Sequence, residues 1–577
     1  MNTRRACPVL VMMHGEFVPS ISVVVMGLAV RSIYPFLISS LQLEVPMFFD
    51  RTGGAPTSGG QISGTKVFPA PRRGLIQNDS IAMPQGEGAE VMDNWFPTPQ
   101  GARMRRGSEK KATLGAPIWS FLTYDTGAQK KMFAATNDSI FDVTTVADPN
   151  VRPNPVVTGL GSGKWSSVQF PNSAGQPALV AVNGVNPMKR YDGAGWADIT
   201  GTSTPISITG IDTSKLSAVW AYQNRLFFVQ RDTMSAWYLP TLSYGGAAKE
   251  LPMGSTFTKG GSLIFGATWS ADSGSGMNNM CVFVTDMGEV AVFQGTDPDS
   301  INTWSKVGTF VIGRPLGKNA FFKTGGDIAI ITDDGIVSVS QIMQKDRAGL
   351  ASVAITFPIE ALWRDVVFNR AFAGYDFSAV VWPAESLLLV AIPAFAGNAK
   401  YCIVANAKTG AWCRYTGWDT RCAVVFEDRL YFGTSDGKVI RGEVGGSECG
   451  APYAATVLPR FDDMGSPASK AALHARCVAR TNNQFQPIMF ANADYEVAVP
   501  NAGDSFGDAS GNVWGGGIWG KSTWGAAESK KFLSDWQSVA AVGTALSAGI
   551  LMTSGRVAPP DLELIAIHLQ YEAGNVL

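Results

Sequence analysis

Through the middle of this 577-residue chain, short runs of apolar β-formers alternate with tight polar turns, and the unit recurs about every fifty residues. The turns are Thr136-Asn137-Asp138, Val182-Asn183-Gly184, Arg231-Asp232-Thr233, Thr285-Asp286-Met287-Gly288, Thr332-Asp333-Asp334-Gly335, a less regular one near Ala384-Glu385-Ser386, and Thr434-Ser435-Asp436-Gly437. Residues 281–285 run into 289–293, and 328–332 into 336–340, as two hairpins of the same design. Asp-Gly and Asn-Gly supply the positive φ that right-twisted hairpins need. A second self-match joins Tyr222-Gln223-Asn224-Arg225-Leu226-Phe227-Phe228 to Phe426-Glu427-Asp428-Arg429-Leu430-Tyr431-Phe432, about four repeats further on. Small repeated sheets bury their faces only by stacking, in a ring or in a line. The repeats fill residues 115–447 without capping units, so the pattern predicts a closed β-propeller of about seven blades, six being the other count the spacing allows.

The flanks read differently. Residues 50–75 are rich in Gly, Ser, Thr and Pro and end in Pro71-Arg72-Arg73-Gly74, which predicts an extended arm rather than packed structure. With the segment after it, this arm and docking region covers 47–114. Beyond the Gly-rich joint at 442–450, strands are expected at 472–480, 487–490 and 495–499. Ile565, Ile567, Leu569 and Tyr571 alternate on one face of a closing strand. Residues 448–577 therefore read as a C-terminal β-sandwich-like module, with the Ala-rich stretch 536–551 taken as strand rather than helix, and the fold class is all-β. Residues 1–46 stand apart. Their apolar run at 17–30 follows Arg4 and Arg5 and has the length of a signal peptide, yet Glu16 intrudes and Arg31 ends it short of a bilayer span. It reads either as a spurious extension, with Met47 opening the working protein, or as an export or membrane signal.

Composition narrows the function. With 46 Lys and Arg against 47 Asp and Glu, and 16% charged residues, the chain lacks the excess positive charge of proteins that grip nucleic acid by counterion release. Seven cysteines without a C-x-x-C pair point to a reducing compartment rather than a disulfide framework. Three histidines, with neither an H-E-x-x-H nor a calcium loop, build no metal site. Residues 159–164 imitate a phosphate loop, but Thr158 stands where the first glycine belongs and Trp165 where Ser or Thr is required. Ser270-Ala271-Asp272-Ser273-Gly274 resembles an Asp box but has Met277 in place of the aromatic. No catalytic, cofactor-binding or metal residue is assigned, and neither an enzyme nor a small-molecule substrate is expected.

Two constellations remain. Arg103, Arg105, Arg106, Lys110 and Lys111 form a basic strip that would dock on an acidic neighbour or touch DNA phosphates, against the plain alternative of a solvated face. Trp514, Trp519 and Trp524, five residues apart, are candidates for a subunit interface or a sugar platform, against simple wedging between short strands.

Asn94, Pro97, Gly101, Arg105 or Arg106, and Gly107 follow the phrase N-x-x-P-x-x-x-G-x-x-x-R-x-G. This segment resembles the N-terminal signature of the tail nozzle, or packaged-DNA stabilisation (tail tubular, head-closure), proteins of short-tailed bacteriophages, with Arg106 where that family often has proline. Asn224-Arg225-Leu226-Phe227, the Trp series and the closing Tyr571-Glu572-Ala573-Gly574 follow in the family's order, so the likeness spans most of residues 76–577. The resemblance implies a structural virion protein of the tail, assembled in the bacterial host cytoplasm. It further implies a homo-oligomeric ring of six copies below portal and adaptor, next to tail fibre or tip proteins, in transient contact with double-stranded DNA during retention and ejection. The alternative from another class is a glycan-binding or glycan-hydrolysing propeller that works through its blade loops.

Overall fold

The computed structural model describes residues 62–78, 86–272, 277–300, 302–371, 376–394, 399–481, 487–502, 531–533, 536–555 and 558–574. Residues 1–46, the first part of the arm, and Trp514, Trp519 and Trp524 lie outside the described residues.

Seven antiparallel blades follow one another along the chain. Their innermost strands are Ser120–Asp125, Ser166–Pro171, Leu216–Tyr222, Leu263–Asp272, Phe321–Thr324, Ser378–Trp382 and Cys422–Phe426. Blades one to four and blade six take four strands each from consecutive sequence, while blade five has three. After blade five the helix Glu360–Arg370 packs Trp363 and Val366 into the core that holds Ile331 and Ile336, and Trp363 Nε1 donates to the Thr332 carbonyl at 3.1 Å. Blade seven has three strands from its own region, Cys422–Phe426, Arg429–Gly433 and Lys438–Gly442, and its fourth, Ser108–Thr113, from before blade one. That borrowed strand closes the ring, and the inner strands of blades seven and one pack side by side.

Six of the seven turns read from the sequence join the second and third strands of their blades; the one near Ala384 joins the first and second strands of blade six. The recurring Thr has a physical role. It ends the second strand or stands directly after it, buried, and its hydroxyl closes the turn: Glu289 N donates to Thr285 Oγ1 at 3.0 Å, Lys438 N to Thr434 Oγ1 at 2.8 Å, and Thr332 Oγ1 to the Gly335 carbonyl at 2.7 Å. The 222–228 and 426–432 segments are equivalent inner hairpins of blades three and seven, four blades apart. Each turns through two residues at positive φ, Gln223 and Asn224 in one, Glu427 and Asp428 in the other.

Apolar residues gather between neighbouring blades, as stacked sheets require. Leu122, Phe133, Leu179 and Tyr191 fill the seam of blades one and two, and Met132, Phe141, Tyr431 and Val439 that of blades seven and one. The largest cluster runs from blades five to seven into the C-terminal module without a break.

That module is a sandwich of two sheets. In one, Lys470–Thr481 pairs with Leu562–Ala573. The far edge of Leu562–Ala573 is covered by Ile62–Pro69 and Ala102–Met104, and that of Lys470–Thr481 by Gln537–Gly543 and Lys531–Leu533. The other sheet, Ala89–Asp93, Tyr453–Pro459, Leu546–Ser554 and Ile488–Ala493, is continuous with blade six through a parallel bridge between Asp93 and Arg414, whose guanidinium forks the Asp93 carboxylate at 2.7 and 2.8 Å. The stretch 536–551 is strand, as its composition suggested. Two expectations change. The arm is extended, but from residue 62 it is packed: Ile62–Pro69 pairs along its whole length, and Phe68 is buried. Residues 495–499 form no strand, because Asp494 and Tyr495 both take positive φ and Asp494 turns its carboxylate onto the backbone N–H and hydroxyl of Thr544.

Candidate functional site

The signature segment forms an internal knot rather than a surface. Asn94 is buried with φ at 61°, a conformation Asn tolerates better than most residues. Its amide donates to Thr416 Oγ1 at 2.7 Å and to the Ala454 carbonyl at 2.6 Å, and its Oδ1 accepts from Arg105 Nε at 2.7 Å and Thr416 N at 2.9 Å. Arg105 is fully buried. It also donates to the carbonyls of Arg106 at 2.9 Å and Thr416 at 3.2 Å and pairs with Glu448, while its guanidinium lies 4.1 Å from the Tyr453 ring centre and 5.1 Å from that of Trp418. The Pro97 carbonyl accepts from Asn406 Nδ2 at 2.9 Å. Gly101 and Gly107 are required by close approach: a Cβ would lie 2.3 Å from the Leu564 carbonyl oxygen at one, and 2.1 Å from that of Ser447 at the other.

This corrects the basic strip. Arg105 is inaccessible to a neighbour or to DNA, because its charge is consumed in joining blades six and seven to the sandwich. Arg103 lies 3.5 Å from Glu385 and 3.7 Å from Glu443, and Arg106 lies 3.2 Å from Glu385, so both arginines are held by carboxylates of their own chain. Lys110, bonded to Asn150, and Lys111 are partly exposed on the strand that closes the ring. The carboxylate partners of the arginines lie some 280 to 340 residues away, beyond any local reading of charge.

A second site was not singled out in the sequence. Where the inner strands begin, blades one, two, three, five, six and seven surround an axial cavity of about 270 Å³ whose lining includes Trp119, Lys164, Val219, Asn319, Asp376, Ser378 and Arg421. Lys164 Nζ lies 3.5 Å from Asp376 Oδ2, and the cations of Lys164 and Arg421 lie 5.3 and 4.6 Å from the Trp119 ring centre. From the segment before blade five, Lys318 reaches across to the carbonyls of Lys164, at 2.5 Å, and Ser217, at 3.3 Å. Burial pushes its ammonium down to about 8, with Asp376 opposing the shift and Lys164 adding to it. The Ser378 hydroxyl is enclosed and makes no hydrogen bond among the described residues. One signal was available: Trp119, Lys164, Asp376 and Arg421 each stand one or two residues before an inner strand, so aligning the repeats would have stacked them at one level. Lys164 ends the phosphate-loop imitation, but Gly161 N and Gly163 N donate to Asn186 and Asn137, so that run is a blade connector. Among the described lining residues Asp376 is the single carboxylate, whereas glycoside hydrolysis in its usual form needs two.

No protein-family model and no curated protein matches the chain. Among solved structures, it is similar to YCF48 bound to D1 peptide, at 12% identity over 63% of this chain and 98% of that one, with a TM-score of 0.35. It is similar also to the WD40 β-propeller domain of Doa1, at 11% identity over 58% of this chain and 97% of that one, TM-score 0.35. The Cps50 (Swd1) β-propeller domain of Myceliophteria thermophila matches at 10% identity over 58% of this chain and 99% of that one, TM-score 0.34. These likenesses reach no further than the β-propeller fold, which the strand order establishes by itself.

Proposed function

We propose that this chain is a structural subunit of the tail of a short-tailed bacteriophage or prophage, six copies forming a nozzle or hub ring below portal and adaptor that prolongs the DNA exit channel and helps retain packaged DNA. The observation that supports this reading is the knot: the residues that carry the resemblance, Asn94, Pro97, Gly101, Arg105 and Gly107, are those that lock the propeller to the C-terminal sandwich. They are therefore a signature of this two-part architecture rather than of a binding surface.

In this reading the DNA path runs between subunits and not along the propeller axis. An axial cavity of about 270 Å³, bridged by Lys318, does not admit a duplex whose major groove alone is about 12 Å wide. Each propeller is then a block in the conduit wall, and a near-neutral wall suits passage, since every fixed cation-to-phosphate contact adds affinity that translocation must break. The test is mass photometry of the purified chain, followed by cryo-electron microscopy of assembled particles. Six-fold rings, or density for the chain at the tail hub, are expected; a protein that stays monomeric and never joins tails refutes the reading. Binding or turnover on a glycan array by the monomer would favour the glycan-acting alternative.

A further inference from the structure

An edge strand presents backbone N–H and C=O groups that invite another strand, and proteins guard such edges with short length, bulges, proline or charge. Most blades are guarded in this way. Pro155–Thr158, Trp196–Ile199 and Lys249–Pro252 are short, Trp304–Val311 is bulged and exposes Lys306, and Ser108–Thr113 carries Glu109, Lys110 and Lys111. Ile62–Pro69 is different. It pairs with Leu562–Ala573 without a register shift, and among the described residues no strand pairs with its other edge.

One hydrogen bond sets the direction of its backbone groups. Ala70 N donates to the Ile565 carbonyl at 2.9 Å, and in an antiparallel ladder every second residue bonds the same neighbour, so residues 68, 66 and 64 also turn to Leu562–Ala573. Ser63, Thr65 and Val67 therefore turn their N–H and C=O outward. Pro69, with no N–H to offer, falls in the same outward set, where an edge strand tolerates proline. The side chains of Ser63, Thr65 and Val67 are exposed and uncharged, while Lys66 faces the other way and is bonded to Asp462. This edge is also complementary to itself. Two copies related by a two-fold axis at Thr65 oppose Thr65 to Thr65, a favourable cross-strand pair, and Ser63 to Val67, so that every outward N–H and C=O of these residues finds a partner. A slide of two residues one way sets Ser63 against Pro69 and loses a donor; the other way, Val67 has no partner among the described residues.

We infer that Ile62–Pro69 is a docking edge for the same strand of a second copy, joining two C-terminal sandwiches through one continuous antiparallel sheet. The contact is isologous, unlike the head-to-tail contacts that build a six-fold ring, so it goes beyond the tail role and does not rest on it. One strand from each copy makes a small interface, and a dissociation constant of about 10 µM is expected.

The experiment is sedimentation velocity of the full-length chain from about 1 to 100 µM, which brackets that constant. A concentration-dependent dimer is expected. Thr65→Pro removes an outward N–H but no bond to Leu562–Ala573, and Thr65→Lys sets like charges face to face; each should weaken the dimer at least about tenfold, with circular dichroism showing an unchanged fold. Either variant alone suffices where the other misfolds. Thr65→Cys should give a covalent dimer on mild oxidation, beyond any that the parent chain forms through its own cysteines. A chain that stays monomeric up to about 100 µM, or a dimer that the folded variants leave intact, overturns the assignment. In the monomeric case, slow amide exchange at Ser63, Thr65 and Val67 would show that the same chain covers the edge. Six-fold rings in mass photometry neither require nor exclude this pair, so the inference and the proposed tail role fail independently.

Discussion

Replacing Arg105 by methionine separates a structural arginine from a docking one. The substitution keeps the aliphatic stem against Tyr453 and Trp418 but removes the charged head. Asn94 Oδ1 and the Thr416 and Arg106 carbonyls each lose a donor, and Glu448 loses its cation in a largely buried setting. Breaking a buried ion pair by removing one partner costs about 3–5 kcal/mol, much of it the cost of stranding the remaining charge. The expected loss for Arg105→Met is therefore about 3–5 kcal/mol. In an Arg105→Met, Glu448→Gln double variant the stranded carboxylate is gone, and about 1–2 kcal/mol should return. Urea unfolding followed by tryptophan fluorescence reads Arg105→Met, Glu448→Gln and the double variant, since Trp418 stands beside the guanidinium. A loss below about 1 kcal/mol, or strict additivity of the two substitutions, would refute the buried-knot account. A docking residue would behave in the opposite way, leaving monomer stability unchanged while impairing assembly.

Gly107→Ala should cost about 1–3 kcal/mol in the same assay, because its Cβ would meet backbone atoms of Ser447 that no rotamer change can move. Lys318 gives the pH dependence: its folded value is lowered from 10.5 to about 8, so between those values the unfolded chain holds more protons and stability should rise with pH. Lys318→Met should flatten that rise in urea titrations from pH 7.5 to 10.5, with Asp376 and Lys164, the charged groups facing it, left in place; an unchanged slope sinks the assignment. Lys110→Glu with Lys111→Glu should alter monomer stability by no more than about 0.5 kcal/mol. If the ring-closing strand meets a sister subunit, the same pair should abolish rings in mass photometry, whereas unaffected rings take this strand out of the contact.

The ring was legible because its information is local and repeated. A turn such as Thr285-Asp286-Met287-Gly288 needs no distant partner to declare itself, and seven of them at one spacing specify the architecture. The knot was legible only as a phrase. Asn94 and Gly107 could be matched to a pattern, but their chemistry depends on Thr416, Ser447 and Ala454, which the chain brings up more than 300 residues later. Arg105 misled for the same reason: four cations nearby in sequence outweighed the aromatic box and Glu448, which are near only in space. The axial cavity was hidden differently, since it gathers short runs from six blades, such as 119–121, 164–167 and 421–423, that no single window of sequence brings together.

These long-range ties also explain why the propeller and sandwich should behave as one mechanical body. The chain enters through the sandwich, pairing Ile62–Pro69 and Ala102–Met104 against Leu562–Ala573, and only then supplies Ser108–Thr113 to close blade seven. The closing strand is therefore anchored within a few residues of the Arg105 knot, and blade six continues sideways into the second sandwich sheet through Asp93 and Arg414. Blade seven cannot release its borrowed strand without pulling on the knot, and the sandwich cannot lose its first strands without loosening the ring. A propeller closed only by its own hairpins could open at one seam under load. Here blade seven, which receives the closing strand, shares one uninterrupted apolar core with the sandwich, and the Arg105 knot adds hydrogen bonds beside it, so a force applied at either is distributed over both.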